Sequence, residues 1–502
     1  MSIKALAKDT AVYGLSSIIG RFLNWCLVPL YVYLFPAEEY GIVTYLYGIV
    51  AVILIILNYG METGFFRFVN KEENPEKVYT TALISVGSTS VIFLILLTVF
   101  LHPISVGLKL PDQSMFVWLI GATVAVDAFC NLPFAYLRYK QKPWRFAGIK
   151  LINIALNIGL NLFFLLVCPW IEKNNPGFIS WFYTPLGGQS FGIGWIFIAN
   201  IISSYIILLL LMPQLLGRQW SFSGHLLKRM LSYSWPLLIL AIAGMLSQNM
   251  GQLLIPYLFS DEEAARSMVG IYGANMKIAI VMVMFTQAFR YAYEPFIFSQ
   301  AKNSGESSSK MYADAMKFFI IFGWLIFLGV MFYLPVLRHF ISPSYWAGLQ
   351  VVPVMMAAEL CYGVFFNLSL WYKLTDKTRW GMYLSLICFG VMLGLNLWLV
   401  PFIGIPDGYM GSAWAALAGY FIVMVISYFV GKHYYPLPYE LKRITFYTAV
   451  AGVFYVAGML MDGIFPLWVT YCLRSLLLIL YIGVISRFEK IPILSPALQR
   501  IL

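Results

Sequence analysis

The sequence predicts an all-α polytopic membrane protein with fourteen transmembrane helices, arranged as two parallel-repeat six-helix lobes plus two additional C-terminal helices. Three observations predict it: a composition that water cannot accommodate, basic residues that alternate from loop to loop, and an internal repeat. Of 502 residues, 61% are hydrophobic and only 11% are charged, and the mean hydropathy is +0.79. Soluble domains carry about twice that charged fraction. Most of this chain must therefore face lipid or other parts of itself.

A bilayer core about 30 Å thick takes about 20 apolar residues in a helix. Such runs fall at 10–35, 40–68, 78–101, 115–139, 146–168, 190–213, 229–258, 268–298, 312–337, 347–372, 380–402, 409–431, 443–464 and 466–487. The positive-inside rule checks the count, because one missed helix would scramble the alternation. Of 33 Lys and Arg, only Lys109, Lys173, Arg266 and Arg338 lie in one set of loops, and Arg21, Lys150, Lys277, Arg290 and Arg474 lie within spans. The remainder occupy the loops on the side of both termini, which are therefore expected in the cytoplasm. This asymmetry also accounts for the net charge of +11, so no nucleic-acid partner is expected. The opening MSIKALAKDT has the basic start of a signal peptide, but its apolar stretch runs too long and lacks a small-residue cleavage site. The N-terminus is expected to be retained.

Several function classes fall away. The six cysteines are scattered without a C-x-x-C pair and read as small buried hydrophobes. The four histidines are scattered too, against a zinc site. No G-x-x-x-x-G-K-[ST] run occurs, so neither a cofactor nor a nucleotide-driven motor is expected. The longest loop on the side away from the termini, around 170–189, is too short for a soluble catalytic domain.

The repeat aligns LRYKQKPWRFAGIKLINIALNIGLNLFFLLV, from Leu137, with LWYKLTDKTRWGMYLSLICFGVMLGLNLWLV, from Leu370. Tyr139 pairs with Tyr372, Asn161 with Asn396, Pro29 with Pro256 and Gly41 with Gly270. Six spans separate the copies, an even number, so the halves share one orientation about an axis along the membrane normal. The expected divisions are an N-terminal lobe at 1–217, a C-terminal lobe at 218–431 and the extra spans at 432–502.

Ionised side chains at helix centre cost roughly 2.5–3.5 kcal/mol, so they should meet a wet cavity or a partner. Arg21 in span 1 shares a stripe with Ser17 and Asn24. Asp127 lies in span 4, and Glu359 in span 10 holds the corresponding place in the second half. For this pair, ion coupling and structural hydrogen bonding both stand. Lys150 starts a stripe through Asn153, Asn157 and Asn161 on one face of span 5, unless it snorkels to the nearby membrane surface. Span 8 carries Lys277 and Arg290, which point about 140° apart on a straight helix, and Arg290 has Glu294 one turn on. Glu62 is expected to pair with Arg67, and Arg474 to meet a lipid phosphate or another helix. The binding candidates are Arg21, Asn24, Lys150, Asn153, Asn157, Lys277 and Arg290.

The 6 + 6 + 2 spans, the opening KDTAVYGLSSIIGRFLNWCLVPLYVYLFPAEEYGI and the recurring Tyr-Lys and G-L-N-L helices resemble the polysaccharide transporter branch of the multidrug/oligosaccharidyl-lipid/polysaccharide exporter superfamily. The resemblance covers essentially the whole chain. It implies a non-enzymatic flippase of the bacterial inner membrane that moves a polyprenyl-pyrophosphate-linked oligosaccharide, an O-antigen, capsule or exopolysaccharide repeat unit, by alternating access. It implies that Arg21 and Lys277 hold the sugar pyrophosphate, and that membrane lipids and a polysaccharide polymerase or assembly protein are partners. Rival readings are a peptidoglycan-precursor (lipid II) flippase, a multidrug cation exporter, an integral-membrane polymerase or ligase, and a non-transporting scaffold.

Overall fold

The structure, a computed structural model, describes residues 19–20, 22–175, 177–183, 191–217, 219–300, 306–375, 377 and 379–489. Among these residues it is all helical, without a strand. Thirteen helices are long and apolar enough to cross a membrane, so this is a multi-pass membrane protein. They follow a shorter apolar segment, Phe22–Leu34, whose Val28–Leu34 part is α1. It is the second part of the first expected span; the first part, Arg21 included, lies outside the described residues.

The long helices are Ala37–Phe68 (α2), Pro75–Val99 (α3), Ser114–Tyr139 (α4), Pro143–Asn174 (α5), Gly194–Leu211 (α6), Gly224–Leu258 (α7), Glu262–Gln300 (α8), Glu306–Phe332 (α9), Val351–Leu368 (α10), Arg379–Ile403 (α11), Tyr409–Tyr434 (α12), Leu441–Leu460 (α13) and Leu467–Phe488 (α14). Several start before their apolar runs because polar caps and acidic first turns extend them into the headgroup zone. Asn74 accepts from the Lys77 amide before α3, Ser223 accepts from the Leu226 amide before α7, and α8 opens on Glu262 and Glu263. The expected loop at 170–189 is partly helical: α5 runs through a π-turn at Phe163–Val167 to Asn174, and Ser180–Tyr183 forms a further turn. Cys130, Cys168 and Cys388 are buried as expected, but Cys26 and Cys472 are exposed on apolar helices.

The chain forms two compact units, Met1–Gly273 with Asn396–Tyr409, and Ala274–Leu395 with Met410–Leu502. In the first, α4 packs against α2, α3 and α6, and α2 packs against α7. Its core gathers Met61, Phe65, Tyr79, Val86, Leu132 and Tyr136, with Tyr79 and Tyr136 stacked at 4.3 Å. α2 is interrupted where Tyr59 and Gly60 both take positive φ, 30° and 70°, and Ser234 of α7 donates to the Gly60 carbonyl at 3.0 Å.

A close helix crossing in this unit joins Gly41 of α2 and Gly270 of α8, the two glycines paired in the expected repeat. A Cβ on Gly41 would sit 1.9 Å from the Arg266 carbonyl oxygen, and a Cβ on Gly270 would sit 1.9 Å from that of Ala37. Only glycine allows the backbones to approach so closely. Next to the crossing, Arg266 pairs with Glu262 at 3.0 Å and Glu38 at 3.4 Å, and Lys109 reaches Glu262 at 3.8 Å. Two of the four basic residues on the sparsely basic side are thereby neutralised.

In the second unit α13 and α14 pack on α9 through Ile321, Leu328, Phe332, Tyr447, Ala451, Tyr481 and Ile485. Arg474 of α14 is 0% exposed. Its guanidinium donates to the Gly458 carbonyl at 3.0 and 2.8 Å, to that of Phe332 at 3.2 Å and to Asp462 at 2.6 Å. Of the two expectations for Arg474, the neighbouring helices hold. At the other end of α14, Lys317 pairs with Glu489 at 2.9 Å, Glu440 at 3.0 Å and Asp314 at 3.2 Å.

A candidate polar site in the first unit

α4, α5 and α6 each present polar groups to the interior of the first unit. Ser204 of α6 donates its hydroxyl to Asp127 of α4 at 2.7 Å. Lys150 of α5, half-buried, holds its Nζ 4.3 Å from the centre of the Phe134 ring and lies in the field of the Asp127 carboxylate. Among the described residues no protein group accepts a hydrogen bond from this ammonium, which has three N–H donors. Two carboxylates in its field, Asp127 and Glu62, and an aromatic face leave its hydrogen-bonding capacity for something else.

One turn and more along α5, an amide ladder begins. Asn161 donates to the Asn157 carbonyl at 2.8 Å and Asn157 donates to the Asn200 side-chain oxygen at 2.9 Å. Asn200 donates to the Tyr47 hydroxyl at 2.7 Å, and Tyr31 donates to the Asn161 side-chain oxygen at 3.0 Å. The ladder thus ties α1, α2, α5 and α6 together through groups that an apolar medium would leave unsatisfied. Asn153, half-buried, continues the same face of α5.

At the basic-loop end, Arg138 of α4 donates to Glu62 of α2. The expected Glu62–Arg67 pair is corrected: Arg67 instead lies over the Tyr233 ring at 3.9 Å. Arg138 wins because α4 packs directly on the inner part of α2, whereas Arg67 emerges from the opposite, exposed side.

The other candidates are dispersed. Asn24 is exposed, and Arg21 lies outside the described residues. In the second unit Lys277 is half-buried in α8, and the Arg290 guanidinium lies 4.6 Å from the centre of the Phe366 ring. The side chain of Glu294 lies outside the described residues. Glu359 in α10 is only 8% exposed, and no donor is within hydrogen-bonding distance of it among the described residues.

The structure therefore brings Asp127, Lys150, Asn153 and Asn157 into one interior and adds groups that sequence reasoning missed: Asn200, Ser204, Tyr31 and Tyr47. Asn200 left a signal, since it is the one amide in the apolar run GWIFIANIISSYIILLLL, where a polar group needs a partner. The tyrosines left none, because aromatic residues abound throughout the spans.

The polysaccharide biosynthesis protein family matches residues 6–299, more than half of the chain. No curated protein matches it in sequence. Among solved structures, the inward closed form of the lipid II flippase MurJ is 13% identical, covers 96% of this chain and 98% of its own, and superposes with a TM-score of 0.71. An inward-facing multidrug resistance MATE transporter of the MOP superfamily is 13% identical, covers 82% of this chain and 94% of its own, and has a TM-score of 0.64. An outward-facing form is 14% identical, covers 85% and 95%, and has a TM-score of 0.58. The fold is thus the one that MurJ and the MATE transporters share.

Proposed function

From its membership of the polysaccharide biosynthesis protein family, we propose that this chain is a flippase for a polyprenyl-pyrophosphate-linked oligosaccharide, an O-antigen, capsule or exopolysaccharide repeat unit. It works in the bacterial inner membrane, with both termini cytoplasmic, and passes its cargo unmodified to the periplasmic leaflet. The observation that carries the reading is the family match joined to a MurJ-like fold over 96% of the chain. The MATE structures account for less of it.

The hydrated head group passes through the protein interior while the polyprenyl tail stays in the surrounding lipid. Lys150, with donors the described protein leaves open, is the first cation for the pyrophosphate, and Arg21, Lys277 and Arg290 are further candidates for it. The amides of Asn24, Asn153 and Asn157 serve the sugar, whose hydroxyls both donate and accept. Asp127 and Glu359 are the groups for ion coupling, since each is a carboxylate in an apolar helix that, among the described residues, forms no ion pair. A second reading, transport of the peptidoglycan precursor lipid II, draws on the fold shared with MurJ.

The test is leaflet exposure of the two lipid-linked sugars in proteoliposomes, with wild type beside Arg21→Ala and Lys150→Ala. Protein-dependent flipping of the oligosaccharide lipid, lost in the variants, is expected. Flipping of lipid II alone establishes the second reading, and movement of a small organic cation with neither lipid refutes both.

A further inference from the structure

Two cavities adjoin at the basic-loop end of the first unit. The larger, about 560 Å³, is walled by Arg67, Lys71, His225, Lys228 and Arg229. The smaller, about 430 Å³, is lined by Leu227, Leu231 and Trp235 of α7. Lys228 and Ser232 line both, so an open cationic depression lies directly beside an open apolar one. Glu72 neutralises Arg229 at 2.8 Å, and Arg67 is held by the face of Tyr233. Among the described residues no carboxylate lies within ion-pair distance of Arg67, Lys71 or Lys228. Three like charges around one depression repel each other and favour an anion between them.

We propose that this double cavity is a binding site for an acidic phospholipid of the surrounding bilayer, with its phosphate among Arg67, Lys71 and Lys228 and an acyl chain against Leu231 and Trp235. The chemistry fits both ends of such a molecule. A free phosphate would use the cationic depression and leave the apolar one without purpose. A neutral lipid would use the apolar depression and leave three cations unanswered. Leu231 and Trp235 are exposed at 37% and 56%, so a chain enters sideways from the leaflet. The bilayer supplies acidic lipid continuously at the height of the basic loops, where each Lys or Arg contributes about 1 kcal/mol of attraction. Once bound, the lipid joins the end of α2 to the start of α7.

Native mass spectrometry of the full-length protein in detergent tests this, with phosphatidylglycerol, phosphatidylcholine and undecaprenyl pyrophosphate as probes. Wild type should retain phosphatidylglycerol at least about tenfold better than phosphatidylcholine. The pair K71Q/K228Q should erase that preference, and K71R/K228R should keep it, which separates loss of charge from loss of fold. The pair K432Q/K442Q removes the same charge from another basic loop and should leave retention unchanged. Equal loss in both Gln pairs would reduce the effect to general surface charge and overturn the site. Displacement of phosphatidylglycerol by equimolar undecaprenyl pyrophosphate would also overturn it, making the cavity a station for a polyprenyl lipid instead. Neither outcome bears on whether the protein flips oligosaccharides.

Discussion

Arg474 and Lys150 are both cations inside apolar helices, and the fold treats them in opposite ways. Arg474 is wholly buried, and its guanidinium spends its donors on two backbone carbonyls and a carboxylate. It closes the ends of α13 and α9 onto α14. Lys150 is half-buried, rests on an aromatic ring and feels Asp127 without touching it. A charge within a span is therefore uninformative until its partners are known: full satisfaction marks a structural staple, and open donors mark a group that can receive a ligand.

The strongest way to break this comparison is Arg474→Ala. It leaves two buried carbonyls without their donor and should cost about 3–5 kcal/mol, seen as a lowered melting temperature in detergent, while flipping per folded molecule is retained. Wild-type melting in this variant would remove the distinction.

Glu489 sharpens it from the structural side. Burial alone would raise its carboxyl, but hydrogen bonds from Lys317, Tyr447 and Arg443 outweigh burial and hold it below the ordinary carboxylate range. Its stabilisation is therefore present in full above the unfolded value and is lost as pH falls through the lower folded one. Glu489→Gln should lose about 1.5–3 kcal/mol at neutral pH and show a smaller further loss on acidification than wild type. Parallel acid profiles of the two proteins would refute the assignment.

On the functional side, Lys150→Met should leave melting within about 1 kcal/mol of wild type, because no hydrogen bond to the described residues is lost. Flipping should fall at least about tenfold, the rate equivalent of one charged contact. A variant that melts early yet flips normally would make Lys150 another staple. The smallest effect is expected for Asn157→Leu, which removes one rung of the ladder and one of the amides for the sugar: it should lower stability by about 1 kcal/mol in the same melts and reduce flipping less than Lys150→Met, because Asn24 and Asn153 remain.

Thirteen of the fourteen expected spans were legible in the sequence because hydropathy and loop charge respond to the membrane directly. α11, expected at 380–402, runs from Arg379 to Ile403. The Lys150 stripe was legible for the same kind of reason, since a spacing of three and four puts residues on one helical face. Partnerships across helices were not. Nothing local links Glu62 to Arg138 or Asn157 to Asn200, because which faces meet is decided by packing many residues away. Glu62 next to Arg67 looked sufficient, and only the direction of the two side chains separates them.

The contact at Gly41 and Gly270 is reciprocal. Each glycine faces the carbonyl four residues before the other, Ala37 or Arg266, so the same patch serves on both sides, as in an isologous homodimer interface. The two sides of the contact make the same demand on each other, a carbonyl against a missing side chain. Replacing either glycine would therefore push apart a contact that the other still demands.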